Sequence, residues 1–314
     1  MNKKRMIFAF GIVAAVTCAL DLSVAAEAPS ILPKGYKFKL IWQDEFNGDK
    51  LDVNKWSYRT NFWGKRATWF AVPEDNAVEV KDGAAHLKIV RRADGSYCSP
   101  QLQTGSLVWD DLIIDPPKEG AALKWPFPKR EKAKFEHKYG YWECRCKTQK
   151  EKGWWSAFWL QSPQQGSTID PARSGVEADV MESFEPGTHI VHAFHYNGYG
   201  ADYLRFNAQR APYTPDPGSA FKATYPIALD EWHTFGLLWE KDGYTVFVDG
   251  KQSGYKVGKE GDEAVSHTEQ FVLISTELKG CRFNTERTPD PDAIEAYKAG
   301  DEFIVDYVRV YDFE

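Results

Sequence analysis

Past its first 26 residues the chain has no apolar run long enough to form a membrane helix. It has no Cys-x-x-Cys pair, so the usual zinc spacing is missing. No glycine-rich phosphate loop is present, which argues against nucleotide chemistry. Helical periodicity is almost absent, which excludes helix bundles and alternating α/β folds. No arrangement of Ser, Cys and His offers a convincing nucleophile triad. Positive charge is in deficit: 39 Lys and Arg stand against 45 Asp and Glu, a net charge of −6. Such a surface repels phosphate backbones and anionic lipids, so neither nucleic acid nor membrane is expected as a partner.

The first 26 residues read as an export leader. Lys3, Lys4 and Arg5 precede an apolar stretch, Met6 to Leu20, that is too short to span a bilayer. Val24-Ala25-Ala26 offers small residues for cleavage after Ala26. A lipid anchor on Cys18 is disfavoured, because Ala15-Val16-Thr17 lacks the usual leucine. The expected product is a secreted or periplasmic protein of residues 27–314 forming one domain, expected to be a monomer. Four cysteines remain in it, Cys98, Cys144, Cys146 and Cys281. Export permits disulfides, but the sequence assigns no pairing. Cys144 and Cys146 share one face of a strand and are poorly placed to bridge each other.

What the sequence has in quantity is aromatic residues, 12 Trp, 15 Tyr and 19 Phe. That is more tryptophan than core packing asks for, and flat rings exposed in a cleft would serve as platforms for sugars. Short alternating runs recur between turn signals, the pattern of an all-β sandwich. Lys81-Asp82-Gly83 joins Asn76–Val80 to Ala84–Val90, and Asp249-Gly250 closes a later turn. Further runs lie at Tyr36–Trp42, Lys138–Thr148, Trp154–Gln161, Gly175–Phe184, His189–Tyr196, Trp232–Glu240, Tyr244–Val248, Phe271–Glu277 and Phe303–Asp312. Ala293–Ala299 reads as one short helical turn. Asp110–Lys134, Ser162–Ser174 and Ala208–Ala228 read as irregular loops that shape a binding edge.

The sharpest chemical signal is Gly175-Val176-Glu177-Ala178-Asp179-Val180-Met181-Glu182. Glu177 and Asp179 are two apart and share a strand face. Glu182 is three beyond Asp179 and would fall on the opposite face of a regular strand. One β-bulge at Val180-Met181 restores the parity and turns all three acids to the same side. Two glutamates so placed can close to about 5 Å, the separation a retaining glycosidase requires. Crowding of three acids raises at least one pKa, as a general acid needs. A solvated strand face and a calcium site are the other readings of three such acids. Their neighbourhood favours sugar chemistry: Trp155, Ala157 and Trp159 share a face of the strand just upstream. His192 and His195 fall on opposite faces of the strand downstream, so only one of them reaches the cleft.

Glu177-Ala178-Asp179-Val180-Met181-Glu182 resembles the E-x-D-x-x-E strand of glycoside hydrolase family 16 in its bulged, laminarinase-like form. Trp42-Gln43-Asp44-Glu45-Phe46-Asn47-Gly48 is similar to that family's opening strand. Tyr139-Gly140-Tyr141-Trp142-Glu143 resembles its Y-G-x-x-E strand, and Trp155-Ser156-Ala157-Phe158-Trp159 its W-P-A-x-W segment. Trp232–Gly236, Val246–Gly250 and Phe303–Tyr311 resemble its late strands. The resemblance implies a β-jelly roll with a concave substrate cleft and a retaining mechanism. It implies Glu177 as nucleophile, Asp179 as helper and Glu182 as acid/base, roles that spacing alone does not apportion. It implies sugar contacts by Trp155, Trp159 and His195, with Trp154 beside them. No cofactor is needed for the chemistry. A structural calcium on the convex side is implied at Glu45, Gly83 and Asp306, partly through backbone oxygens.

Three departures bear on substrate choice: Ala178 for a bulky aliphatic, Ser156 for proline, and the Asp110–Lys134 insertion. The expected activity is endo-hydrolysis of a β-1,3- or mixed β-1,3/1,4-glucan, with the polysaccharide as sole partner. The alternative is a marine galactan such as agar, porphyran or carrageenan, whose sulfates Arg66, Lys124 and Arg173 would meet. A non-catalytic glucan-binding module is disfavoured, because all three acids are present.

Overall fold

Two-residue turns set two of the hairpins. Asp82 and Gly83 take positive φ, 52° and 74°, and Asp249 and Gly250 do the same, 50° and 73°. Two consecutive positive φ values match the twist of the strands they join. The computed structural model describes residues 28–62, 65–106, 131–165, 170–195, 221–258, 265–281 and 286–314. The leader and nearly all of the Asp110–Lys134 insertion lie outside the described residues.

The strands in chain order are β1 (Phe38–Asp44), β2 (Ser57–Tyr58), β3 (Asn61–Phe62), β4 (Lys65–Arg66), β5 (Val78–Lys81), β6 (Ala84–Lys88) and β7 (Val90–Arg91). Next come β8 (Tyr97–Cys98), β9 (Gln101–Gln103), β10 (Gly140–Lys147), β11 (Trp154–Gln161), β12 (Glu177–Glu185) and β13 (His189–His195). The rest are β14 (Phe221–Tyr225), β15 (His233–Glu240), β16 (Gly243–Val248), β17 (Lys251–Gly258), β18 (Phe271–Leu278) and β19 (Glu302–Phe313). Helix α1 (Pro171–Ser174) is one turn, and α2 (Pro291–Ala299) runs into β19. One sheet has the order β17–β16–β15–β10–β19–β6–β5, with β1 also paired to β19. The other runs β14–β13–β12–β11–β18–β9–β2. This is the expected antiparallel sandwich. The loop expected over Ala208–Ala228 is corrected in part, since Phe221–Tyr225 pairs with β13 as a strand.

The alternation of β10, β11, β12, β15 and β18 places one apolar set between the sheets. Trp142, Cys144 and Cys146 meet Phe158, Val180 and Ile274 in a single core cluster extending from Phe46 to Val310. All four cysteines are buried and unbridged. Trp154 belongs to this core, fully buried, and its Nε1 donates to Asp301 Oδ2 at 2.9 Å. Its expected place in the sugar cleft is therefore corrected: it faces opposite to Trp155, as strand alternation requires.

Two of the expected calcium ligands, Glu45 and Asp306, are ion-paired. Glu45 accepts two bonds from Arg309, Nε at 2.7 Å and Nη2 at 2.6 Å. Asp306 is paired with Arg145. Gly83 occupies the β5–β6 turn with positive φ. Both carboxylates thus already have cationic partners, and the residues present do not fit a carboxylate-ligated calcium.

Candidate active site

β12 carries one residue more than its neighbours. Against β11, Trp159 pairs with Asp179 and Phe158 with Met181, so Val180 is surplus. Against β13, Ala193 pairs with Asp179 and Val191 with Glu182. The side chains follow this bulge. Ala178, Val180 and Met181 all point into the core, fully buried. Glu177, Asp179 and Glu182 line one cleft on the open face of the second sheet. The double inward step at Val180-Met181 is the parity correction that the acid spacing calls for.

Neighbouring strands build the rest of the cleft by register. Glu182, Ala157, Ser275 and Gln101 form one row across β12, β11, β18 and β9. Asp179, Trp159 and Leu273 form the next row. Ala157 is the small residue between Trp155 and Trp159, and it leaves the floor beside Glu182 low. Trp155 packs on Phe184 with ring centroids 5.4 Å apart. Trp159 donates its Nε1 to Ser275 Oγ at 2.9 Å.

Electrostatically the site is a tight acidic group with one imidazole. Asp179 is only 5% exposed, and its Oδ2 lies 3.2 Å from His195 Nε2. One polar atom each from Glu177, Asp179 and His195 lie within 4.8 Å of one another. Among the described residues this is the only such trio that could hold a metal ion. Gln165, also buried, donates Nε2 to Glu177 Oε2 at 3.4 Å. His192 points into the sandwich, fully buried, so His195 alone of the two reaches the cleft.

The structure therefore brings together Glu177, Asp179, Glu182, Trp155, Trp159 and His195 and leaves out Trp154. It adds Arg59, Gln101, Ser275 and Glu277 to the lining, together with Gln165 beside Glu177. Arg59 follows the two-residue β2, and its backbone N–H donates to Gln101 O at 2.8 Å. Its guanidinium carbon lies 5.1 Å above the Trp159 ring centroid. A strand that short carries no periodicity, so nothing in the sequence marked Arg59. Arg66 and Arg173 are exposed and do not line the cleft, and Lys124 lies outside the described residues.

Residues 128–276 match the family model described as glycosyl hydrolases family 16. The chain is 28% identical to Glucan endo-1,3-beta-glucosidase A1 of Niallia circulans, over 87% of this chain but only 37% of that protein. It is 25% identical to Beta-glucanase of Rhodothermus marinus, over 88% of this chain and 86% of that protein. The endo-beta-1,3-glucanase of Pyrococcus furiosus superposes with a TM-score of 0.62 at 20% identity, covering 91% of this chain and 99% of that one. The laminarinase of Flavobacterium sp. UMI-01 gives 0.60 at 19% identity, covering 87% and 100%. These structural likenesses establish a common fold.

Proposed function

We propose that the chain, whose residues 128–276 match the glycosyl hydrolases family 16 model, is a member of that family and an endo-acting hydrolase of a β-1,3- or mixed β-1,3/1,4-glucan that works with retention. The observation that carries this reading is the bulge in β12, which turns Glu182 to the same side as Glu177 and Asp179. In the first step Glu177 attacks the anomeric carbon while Glu182 gives its proton to the departing glycosidic oxygen. The released sugar leaves and a glycosyl ester on Glu177 remains. In the second step Glu182, now a carboxylate, takes a proton from water, which attacks the same carbon and frees Glu177. Asp179, whose Oδ2 lies 3.2 Å from His195 Nε2, sits beside both glutamates and orients the imidazole toward the sugar.

The cleft lining supports a neutral polymer. Among the described residues lining the cleft, four acidic side chains, Glu177, Asp179, Glu182 and Glu277, face one guanidinium, Arg59. A sulfated galactan would meet net repulsion there.

The test is reducing-sugar release from laminarin and lichenan. Glu177→Gln is expected to lower kcat at least 1,000-fold while laminarin binding, read by affinity electrophoresis, persists. With an activated aryl glycoside, azide should restore turnover to Glu177→Ala as the α-glycosyl azide and to Glu182→Ala as the β-glycosyl azide. No release from either glucan by the wild-type protein overturns the substrate assignment. Swapped azide products overturn the division of roles.

A further inference from the structure

His192 stands behind the catalytic strand, on the core side of the sheet. It lies on β13 between Val191 and Ala193, whose partners on β12 are Glu182 and Asp179. Those partners are three apart on β12, while Val191 and Ala193 are two apart on β13. His192 is therefore the residue opposite the surplus one. Its Nδ1 is 2.6 Å from the carbonyl oxygen of Val180. A carbonyl only accepts, so Nδ1 carries the proton and donates it. The bulge has taken Val180 out of register with both neighbouring strands. Its carbonyl is buried, and a buried carbonyl needs a donor. The imidazole of His192 supplies it. Burial pushes the His192 imidazole down to about 4. The ring is therefore neutral at ordinary pH, and no charge is stranded in the apolar core.

β12 has two ways to pair with β13. With the bulge, Met181 points inward and Glu182 faces the cleft. Without it, strict alternation would leave Met181 in the cleft and turn Glu182 into the sandwich interior. The bond from His192 to Val180 exists only in the bulged form, so it favours the arrangement that makes a proton donor available. We propose that His192 is a positioning residue for the acid/base, acting from the core by holding the Val180 bulge. The proposal rests on the reading of Glu182 as acid/base.

The experiment compares His192→Leu, His192→Asn and wild type on two substrates. Laminarin expels a sugar alkoxide and needs the proton from Glu182. A 2,4-dinitrophenyl β-1,3-gluco-oligosaccharide expels a stable phenolate and needs none for glycosyl-enzyme formation. For His192→Leu the expected result is a 100-fold or greater loss of kcat on laminarin with KM little changed. The dinitrophenol burst should stay within about threefold of wild type. His192→Asn puts an amide N–H where Nδ1–H was and should recover laminarin turnover to within tenfold of wild type. Equal losses on both substrates, no loss on either, or no recovery with Asn would each overturn the proposal. If His192→Leu does not fold, His192→Asn and His192→Gln carry the comparison, because only Asn places its donor at the right reach; equal behaviour of the two overturns it. Failure of azide to restore Glu182→Ala would instead refute the acid/base reading, whatever His192 does.

Discussion

Trp159 was expected to be an open sugar platform, and it is more constrained than that. Ser275 fixes its indole N–H, and Arg59 covers one ring face at 5.1 Å. Sugar can meet only the other face or the edge, so Arg59 sets the tilt of the platform. A cation–π contact away from bulk water is worth about 1–2 kcal/mol. Arg59→Met keeps much of the packing and loses the charge. It is expected to raise KM for laminarin about five- to tenfold with little change in kcat, measured by initial rates over a laminarin series. His192 makes a prediction of a different kind. Its pKa is about 4 in the fold against 6.5 ordinarily. Between those values the unfolded chain binds a proton that the native protein does not. Stability from this group is therefore complete above about pH 6.5 and is lost as pH falls toward 4. At about 1.4 kcal/mol per pKa unit the full loss is on the order of 3 kcal/mol. Urea unfolding at pH 7, 6, 5 and 4.5 should show a shallower decline for His192→Asn than for wild type; parallel curves would remove His192 from the acid sensitivity. At this scale Glu177, Asp179 and Trp155 were legible from strand parity, Glu182 from parity with one bulge, and His195 only through the family resemblance. Arg59 was not, since its place follows from a chain crossing that no local pattern records.

Among the elements, β12 was the most legible, because three acids at a spacing of two and then three have a common face only with a bulge. β14 and β17 were missed for opposite reasons. Phe221-Lys222-Ala223-Thr224-Tyr225 alternates over only five residues and follows a stretch rich in Pro and Gly. Lys251–Gly258 contains two glycines, which weaken the strand pattern. β14 is recruited by pairing with β13 and β17 by pairing with β16, and neither has a strong propensity of its own. The junction of β11 with α2 offers a test of how elements are held together. Gly153 opens β11 with φ 91°, and a Cβ there would overlap the backbone of Asp292 and Ala293 at the start of α2. Gly300 ends α2 with φ 67° and has open space around it. Gly300→Ala incurs only the positive-φ strain, about 1 kcal/mol. Gly153→Ala incurs that strain and must also displace the helix, and should cost about 3 kcal/mol or more. Chemical denaturation of the two variants side by side reads the difference. Equal losses would mean that α2 yields without cost and does not brace β11.

For the molecule as a whole, alternation predicted a sandwich, but the order of strands within each sheet depends on long-range pairings that no short window contains. The closing of β1 onto β19 shows what such pairings build. It brings Glu45 to Arg309, with side chains 11% and 7% exposed, and draws the segment at residues 28–31 across the outer face. Arg309 Nη1 donates to Ala28 O at 2.9 Å and Ser30 Oγ at 2.8 Å, and Ile31 N–H donates to Glu143 Oε1 at 2.8 Å. Glu143 is fully buried, and that burial pushes its carboxyl pKa up, with Arg309 opposing. The outer face is thus closed by guanidinium–carboxylate pairs and a strap of backbone where a calcium was expected. Two outcomes follow for melting temperature. Chelation with EDTA should leave it unchanged, since Glu45 and Asp306 already have cationic partners in Arg309 and Arg145. Arg309→Met should lower it markedly, because breaking a buried pair from one side costs about 3–5 kcal/mol and leaves Glu45 without its counter-charge. A melting temperature that falls with EDTA and returns with added calcium would show a cation held by backbone oxygens near the β5–β6 turn, and would return the guanidinium pairs to a secondary role.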